Sequence, residues 1–331
     1  MRNLFSTLPI HPARRGALKA LAGLSFAATM PALDAAGLDV AALDVAKMAS
    51  RQLQRAIPKS GELLPAMGLG TWQTFDVAGD TAGRAAVRET LRLFAAAGGR
   101  VLDSSPMYGS SESVVGATAA ALGLQSSLFF ATKVWTSGRD EGIRQMQTSI
   151  ERMQVKSAGR KHEMDLMQVH NLVDLATHLK TLRAWKAEGR IRYFGFTHYT
   201  VDSHRQLAEL IRQEQPDFVQ FNYSIATRDA EKNLLATAMD NQTAVIINRP
   251  FEEGDLFRAV KGKALPAFAA DIGCTSWAQF FLKYILGHPA VTCVIPGTRE
   301  PRHLLDNMQA GAGAPPDAGM RARMARYFDS L

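Results

Sequence analysis

Between Val101 and Gly116 the chain reads Val-Leu-Asp-Ser-Ser-Pro-Met-Tyr-Gly-Ser-Ser-Glu-Ser-Val-Val-Gly, and two of these residues carry chemistry. Asp103 ends a short apolar run that suits a buried strand, and Tyr108 follows in a turn-prone stretch. An unpaired acid and a phenol are poor core material, whereas a strand that fixes the acid and a turn that presents the hydroxyl make a site. Lys133 and His170 each stand at the end of another apolar run. Together the four side chains suit reduction of a carbonyl by hydride. Hydride arriving at the carbonyl carbon puts negative charge on the oxygen, which must take a proton as that charge grows. A phenol, with a reference pKa of about 10, is a weak acid for the task. An ammonium within hydrogen-bond reach stabilises the phenolate, so Lys133 is expected to pull the Tyr108 value down. Asp103 is expected to keep Lys133 charged and fixed, and His170 to bond the carbonyl oxygen and orient the substrate.

Such residues need a frame that brings strand ends together. Strand-like runs occur at 62–72, 100–103, 128–135, 164–170, 191–197, 217–221, 243–248 and 291–295. Helical runs alternate with them. Asp80 caps a face of Val87, Leu91 and Phe94 that stops at Gly98-Gly99, and 111–122, 140–153 and 175–189 follow. Later helical runs end at Pro216, span 229–239, carry Trp277, Phe280, Phe281 and Tyr284 as far as Gly287, and span 300–309. This alternation predicts a single α/β domain, a (β/α)8 TIM barrel, with an N-terminal β-hairpin turning at 58–61 and a C-terminal helical tail bearing Arg321, Arg323 and Arg326. In such barrels the C-terminal strand ends build the active site. Here they supply Asp103, Lys133, His170, Thr197 with His198, Gln220, Asn248 with Arg249, and Gly297 with Thr298 and Arg299.

From Ala66 to Ala310 these residues resemble the aldo-keto reductase family. Five stretches carry the likeness: Gly68-Leu69-Gly70-Thr71-Trp72; Leu102-Asp103 with Tyr108-Gly109 and Ser111-Glu112 through Gly116; Thr132-Lys133-Val134-Trp135; Met164-Asp165-Leu166 with His170; and Ile295-Pro296-Gly297-Thr298 through Asp306-Asn307. The resemblance implies an NADPH-dependent aldehyde or ketone reductase without a metal, NADH being the alternative cofactor. The family's catalytic Asp, Tyr, Lys and His fall on Asp103, Tyr108, Lys133 and His170. The cofactor-binding positions it implies are Thr197, His198, Gln220, Asn248, Arg249, Pro250, Gly297, Thr298, Arg299, Arg302, His303, Asp306 and Asn307, with Trp72 and Trp135 as pocket walls. Several depart from the family's pattern. Thr197-His198 replaces a Ser-Asn pair, and Asn248 stands where an aromatic ring often stacks on the nicotinamide. Gly297 and His303 stand where Lys and Arg usually meet the adenosine 2′-phosphate, so Arg299 and Arg302 are the expected substitutes.

The N-terminus has its own pattern. Ala13-Arg14-Arg15-Gly16-Ala17-Leu18-Lys19 precedes a small-residue, mildly apolar run from Ala20 to Ala32 and resembles a twin-arginine export signal, departing from it at Ala17. Residues 1–36 are thus expected to be a signal peptide, 37–50 a mobile connector and 51–331 the barrel. The expected partner is the twin-arginine export machinery and the expected location the periplasm, or the cytoplasm if the leader is no signal. Of the net charge of +7, residues 1–36 account for +3, and the rest shows no clustered basic run, which argues against nucleic acid. No later stretch approaches the roughly 18 uninterrupted apolar residues of an integral membrane span. Cys274 and Cys293 form neither a metal spacing nor a disulfide framework and are expected to be separate buried thiols.

Other chemistries lack their residues. Gly68-Leu69-Gly70 has no third glycine and opens no helix directly, His162-Glu163 has no second histidine, and no Gly-x-Ser-x-Gly elbow occurs. Two rivals remain: a non-catalytic nucleotide-binding barrel acting as redox sensor or partner-binding module, and a cofactor-free, sugar-active barrel. The altered nicotinamide clamp and the export signal favour the first, because free NADPH is scarce outside the cytoplasm.

Overall fold

The computed structural model describes residues 44–155 and 159–331. The signal peptide expected at 1–36 and the first half of the connector expected at 37–50 lie outside those residues. The end of that connector is not loose: 44–50 is a helix (α1), and its Met48 joins the core.

A hairpin follows, β1 (Gln54–Ala56) against β2 (Leu63–Pro65). The single strand predicted at 62–72 is therefore two, because Leu63–Pro65 pairs backwards with β1 before the chain enters the barrel at β3 (Leu69–Gly70). The other seven predicted strands form as β4 (Val101–Asp103), β5 (Phe129–Val134), β6 (Met164–His170), β7 (Ile191–Thr197), β8 (Phe218–Asn222), β9 (Ala244–Asn248) and β10 (Val291–Val294). All are parallel in chain order, and the bridges Met67↔Val294 and Gly70↔Gly297 close the ring between β10 and β3.

Helices alternate with the strands: α2 (Thr81–Ala96), α3 (Ser111–Ala121), α4 (Arg139–Met153), α5 (Leu175–Ala187), α6 (His204–Glu214) and α7 (Leu234–Asp240). The helix expected at 229–239 starts as a 3-10 turn and becomes α7 only after Asn233, whose φ of −158° interrupts it. Between β9 and α9 (Trp277–Leu286) runs a long excursion carrying the short α8 (Asp255–Ala259). The chain ends with α10 (Pro301–Ala310) and α11 (Ala318–Asp329). The tail's Arg321 is not a free charge, since it donates to Glu231 (2.6 Å) and to the Tyr284 carbonyl (3.0 Å).

Two apolar cores result. The larger lies between strands and helices; the smaller fills the barrel with Val101, Phe129, Leu166, Phe218 and Ile246, and the hairpin's Ile57 and Leu64 plug it from the N-terminal end. Successive inward positions along a strand are two residues apart. Leu166, Gln168 and His170 therefore climb one wall from apolar floor to polar rim. Burial of the floor fixes the strand register, and the register fixes which residues reach the rim.

Candidate active site

Asp103 and His170 are the last residues of β4 and β6, and Lys133 the penultimate residue of β5, so three strands deliver them to one end of the barrel. Tyr108 comes from the loop after β4. Its turn bends at Gly109 (φ 60°), where a Cβ would lie 2.3 Å from Asp76 Oδ2. The next residue, Ser110, donates its backbone N–H (2.8 Å) and its hydroxyl (2.6 Å) to that same carboxylate, which anchors the loop.

Lys133 is fully buried and donates to Asp103 Oδ2 (2.5 Å) and to the Ser104 carbonyl (2.7 Å). Its Nζ lies 5.1 Å from the centre of the Tyr108 ring. Burial favours a neutral amine at Lys133, but the Asp103 carboxylate and the phenol outweigh it and its pKa rises. At Tyr108 the balance differs from the expected fall. Burial is the largest influence and raises the phenol's pKa, Lys133 opposes it, Asp103 adds to it, and the net direction is up. Tyr108 is thereby held in its protonated form. His170 is pushed down to about 3, first by burial and then by the nearby charges of Lys133 and His198, so its ring is neutral. Ser105 Oγ lies 3.0 Å from His170 Nδ1, and the Tyr108 and His170 rings meet edge to face at 5.9 Å.

The other oxygen of Asp103 accepts from Gln168 (3.2 Å) and Gln220 (3.1 Å). Gln220 Oε1 in turn accepts from Thr197 (3.3 Å) and Asn248 (3.3 Å), which joins three expected cofactor positions in one network. Asn248 Oδ1 is buried with no partner. These groups border a cleft of about 720 Å³ that Asp103, Tyr108, His170, Thr197, Gln220, Asn248, Arg249, Pro250 and Gly297 all help to line. Trp72 and Trp135, each more than two-fifths exposed, form part of its wall.

Other expected residues lie elsewhere. The His198 ring is absent from the wall; its Nδ1 accepts from the backbone of Tyr199 (3.0 Å), on whose ring it stacks. Thr298 accepts from Glu300 N (3.1 Å) ahead of α10, and Asp306 accepts from Ser276 (2.7 Å) and Gln279 (2.6 Å) at the start of α9. Arg299 lies 3.9 Å from Asp80, Arg302 and His303 are exposed in the first turn of α10, and Asn307 is buried.

The structure also shows residues that sequence reasoning missed. Gln168 had a signal, the two-residue period that points His170 inward. Ser104 and Ser105 had none beyond their position between Asp103 and Tyr108. Tyr199, Phe251 and Phe257 also line the cleft, the last two from the irregular excursion after β9, where no periodicity announced them. Among the described residues no cluster of His, Cys, Asp or Glu could hold a metal, and Cys274 and Cys293 are buried and unpaired.

The sequence pattern of the Aldo/keto reductase family matches residues 66–320. The methylglyoxal reductase YeaE of Escherichia coli (strain K12) is 27% identical over 250 residues, 73% of this chain and 84% of that one. An aldo/keto reductase from Klebsiella pneumoniae, solved with NADP and acetate, superposes with a TM-score of 0.69 at 22% identity, covering 84% of this chain and 95% of its own. A Bombyx mori aldo-keto reductase solved with NADP gives a TM-score of 0.64 at 21% identity, covering 84% and 93%.

Proposed function

Since the chain belongs to the aldo/keto reductase family, we propose that it reduces aldehyde or ketone carbonyls with NADPH and that Tyr108 delivers the proton. The convergence of Asp103, Tyr108 and His170 at one cleft, with Lys133 buried against Asp103 and the Tyr108 ring, carries this reading. Bound NADPH supplies the hydride. Tyr108, kept protonated by burial, gives its proton to the developing alkoxide, and Lys133 stabilises the phenolate left behind. Asp103 holds Lys133 charged in a place that would otherwise neutralise it, and neutral His170 bonds the carbonyl oxygen. The cofactor's position is supported by an unmet acceptor, the buried Asn248 Oδ1. Thr197, Gln220, Asn248, Arg249 and Pro250 would hold the nicotinamide end. Gly297, Thr298, Arg299, Arg302 and His303 surround the N-terminus of α10, where helix N–H groups favour phosphate, and Asp306 and Asn307 would face the adenine. The guanidinium groups of Arg299 and Arg302 favour NADPH over NADH.

The test is oxidation of NADPH and NADH with a panel of aldehydes, ketones and quinones that includes methylglyoxal. Tyr108→Phe should lower turnover by about 10³-fold and leave nucleotide affinity unchanged. Unchanged turnover would remove the mechanism, and nucleotide binding without any turnover in the wild type would favour the non-catalytic barrel. For the leader we propose twin-arginine export of the folded barrel to the periplasm. Replacing Arg14 and Arg15 with lysine should leave the protein in the cytoplasmic fraction.

A further inference from the structure

Ser105 joins the two groups that would meet the substrate's oxygen. Its backbone carbonyl accepts from Tyr108 N (3.0 Å), and its hydroxyl, fully buried, lies 3.0 Å from His170 Nδ1. The residue before it, Ser104, accepts from Lys133 at its carbonyl (2.7 Å) and from Thr71 at its hydroxyl oxygen (3.0 Å), so the turn cannot shift without disturbing the lysine.

The Ser105–His170 contact can be made in two ways with different consequences. If Nδ1–H donated to the serine, the hydroxyl's own proton would be buried with no acceptor among the described residues. An unmade buried donor costs more than an unused lone pair. If the serine donates instead, its proton and the Nδ1 lone pair are both satisfied, and the ring's single proton sits on Nε2. His170 lines the cleft, with Tyr108 edge-on to it.

We propose that Ser105 is a positioning residue that locks His170 in its Nε2–H tautomer, so that the imidazole presents a hydrogen-bond donor to the substrate's carbonyl oxygen. In the opposite tautomer Nε2 would offer a lone pair. It would then repel the carbonyl oxygen and compete with it for the Tyr108 proton. This role rests on the proposed carbonyl reduction, but the tautomer itself can be read without substrate or nucleotide.

The experiment is long-range ¹H–¹⁵N correlation of the imidazole nitrogens in the full chain, with the His170 signals assigned by their loss in His170→Gln. The wild type should show Nε2–H. Ser105→Ala should show a mixture of tautomers, and Ser105→Thr, which keeps the hydroxyl, should restore the single form. In turnover, Ser105→Ala should lose about tenfold in kcat with nucleotide affinity unchanged, and Ser105→Thr should recover most of it. A wild type in the Nδ1–H form, or a Ser105→Ala spectrum identical to wild type, overturns the proposal. A wild type that shows the Nε2–H form but reduces no carbonyl would instead sink the functional reading and leave the lock standing.

Discussion

The two ends of the barrel each bury an aspartate against cations, and they use it differently. At the N-terminal end Asp165 accepts from Arg160 through both oxygens (2.5 Å each), from Arg192 (2.9 Å) and from Phe130 N (2.8 Å). Arg192 reaches on to Glu62, which also accepts from Tyr193 (2.8 Å). At the C-terminal end Asp103 is equally well supplied, by Gln168, Gln220 and Lys133. The partner cation makes the difference. Guanidinium groups hold their protons and grip a carboxylate in a rigid fork, which pins strands together. Lys133 is a point charge that serves Asp103, the Ser104 carbonyl and the neighbouring phenol of Tyr108. The backbone differs too. Gln73, Asn171, Arg249 and Glu253 line the cleft with φ between 52° and 59°, a region costly for side chains other than glycine, whereas none of the N-terminal network residues is so placed. One end is built to stay as it is; the other holds the unmet acceptors of Asn171 and Asn248 and strained backbone beside the buried phenol of Tyr108.

Exchanging the cations should break this contrast most sharply. Lys133→Arg should lower carbonyl turnover by about 10³-fold, since a guanidinium cannot occupy the lysine's enclosed site and still face the phenol, while Arg192→Lys should leave steady-state kcat within about twofold. Unfolding comes next. Asp103→Leu strands a buried ammonium and should cost about 3–5 kcal/mol in urea denaturation. Asp165→Leu should cost less, because Arg160 and Arg192 retain access to water. Equal losses would show that the two networks are structural equivalents. Gln168→Leu removes one donor to Asp103 and should reduce kcat about tenfold with no change in nucleotide affinity by fluorescence titration.

A last contrast lies in pH. The folded-state pKa of His170 is depressed from its ordinary 6.5 to about 3, so its contribution to stability is complete above 6.5 and drains away as pH falls toward about 3. His170→Gln should therefore lose less stability than the wild type over that interval, measured by thermal unfolding at successive pH values. Reductive turnover should show no inflection near 6.5. Because Tyr108 is raised above its ordinary 10, the alkaline fall should come later than a free phenol would set it. An inflection close to 6.5 that vanished in His170→Gln would mean the ring titrates in the working enzyme.

Much of this was legible in the chain itself. Apolar runs alternating at periods of two and 3.6 placed seven of the eight barrel strands and most helices to within a few residues, because burial of one face is a local, periodic demand. The same period carried Asp103, Lys133, His170, Thr197, Gln220 and Asn248 to one rim. Tertiary structure alone decided what those residues do to one another. The net direction of the Tyr108 pKa, the two glutamines on Asp103, the tie from Ser105 to His170 and the wall contributed by Phe251 and Phe257 all depend on which strands become neighbours and how much water the closed ring excludes. Charge, desolvation and hydrogen bonding act across space, so spacing along the chain names the participants, and only the closed barrel sets the strength of each interaction.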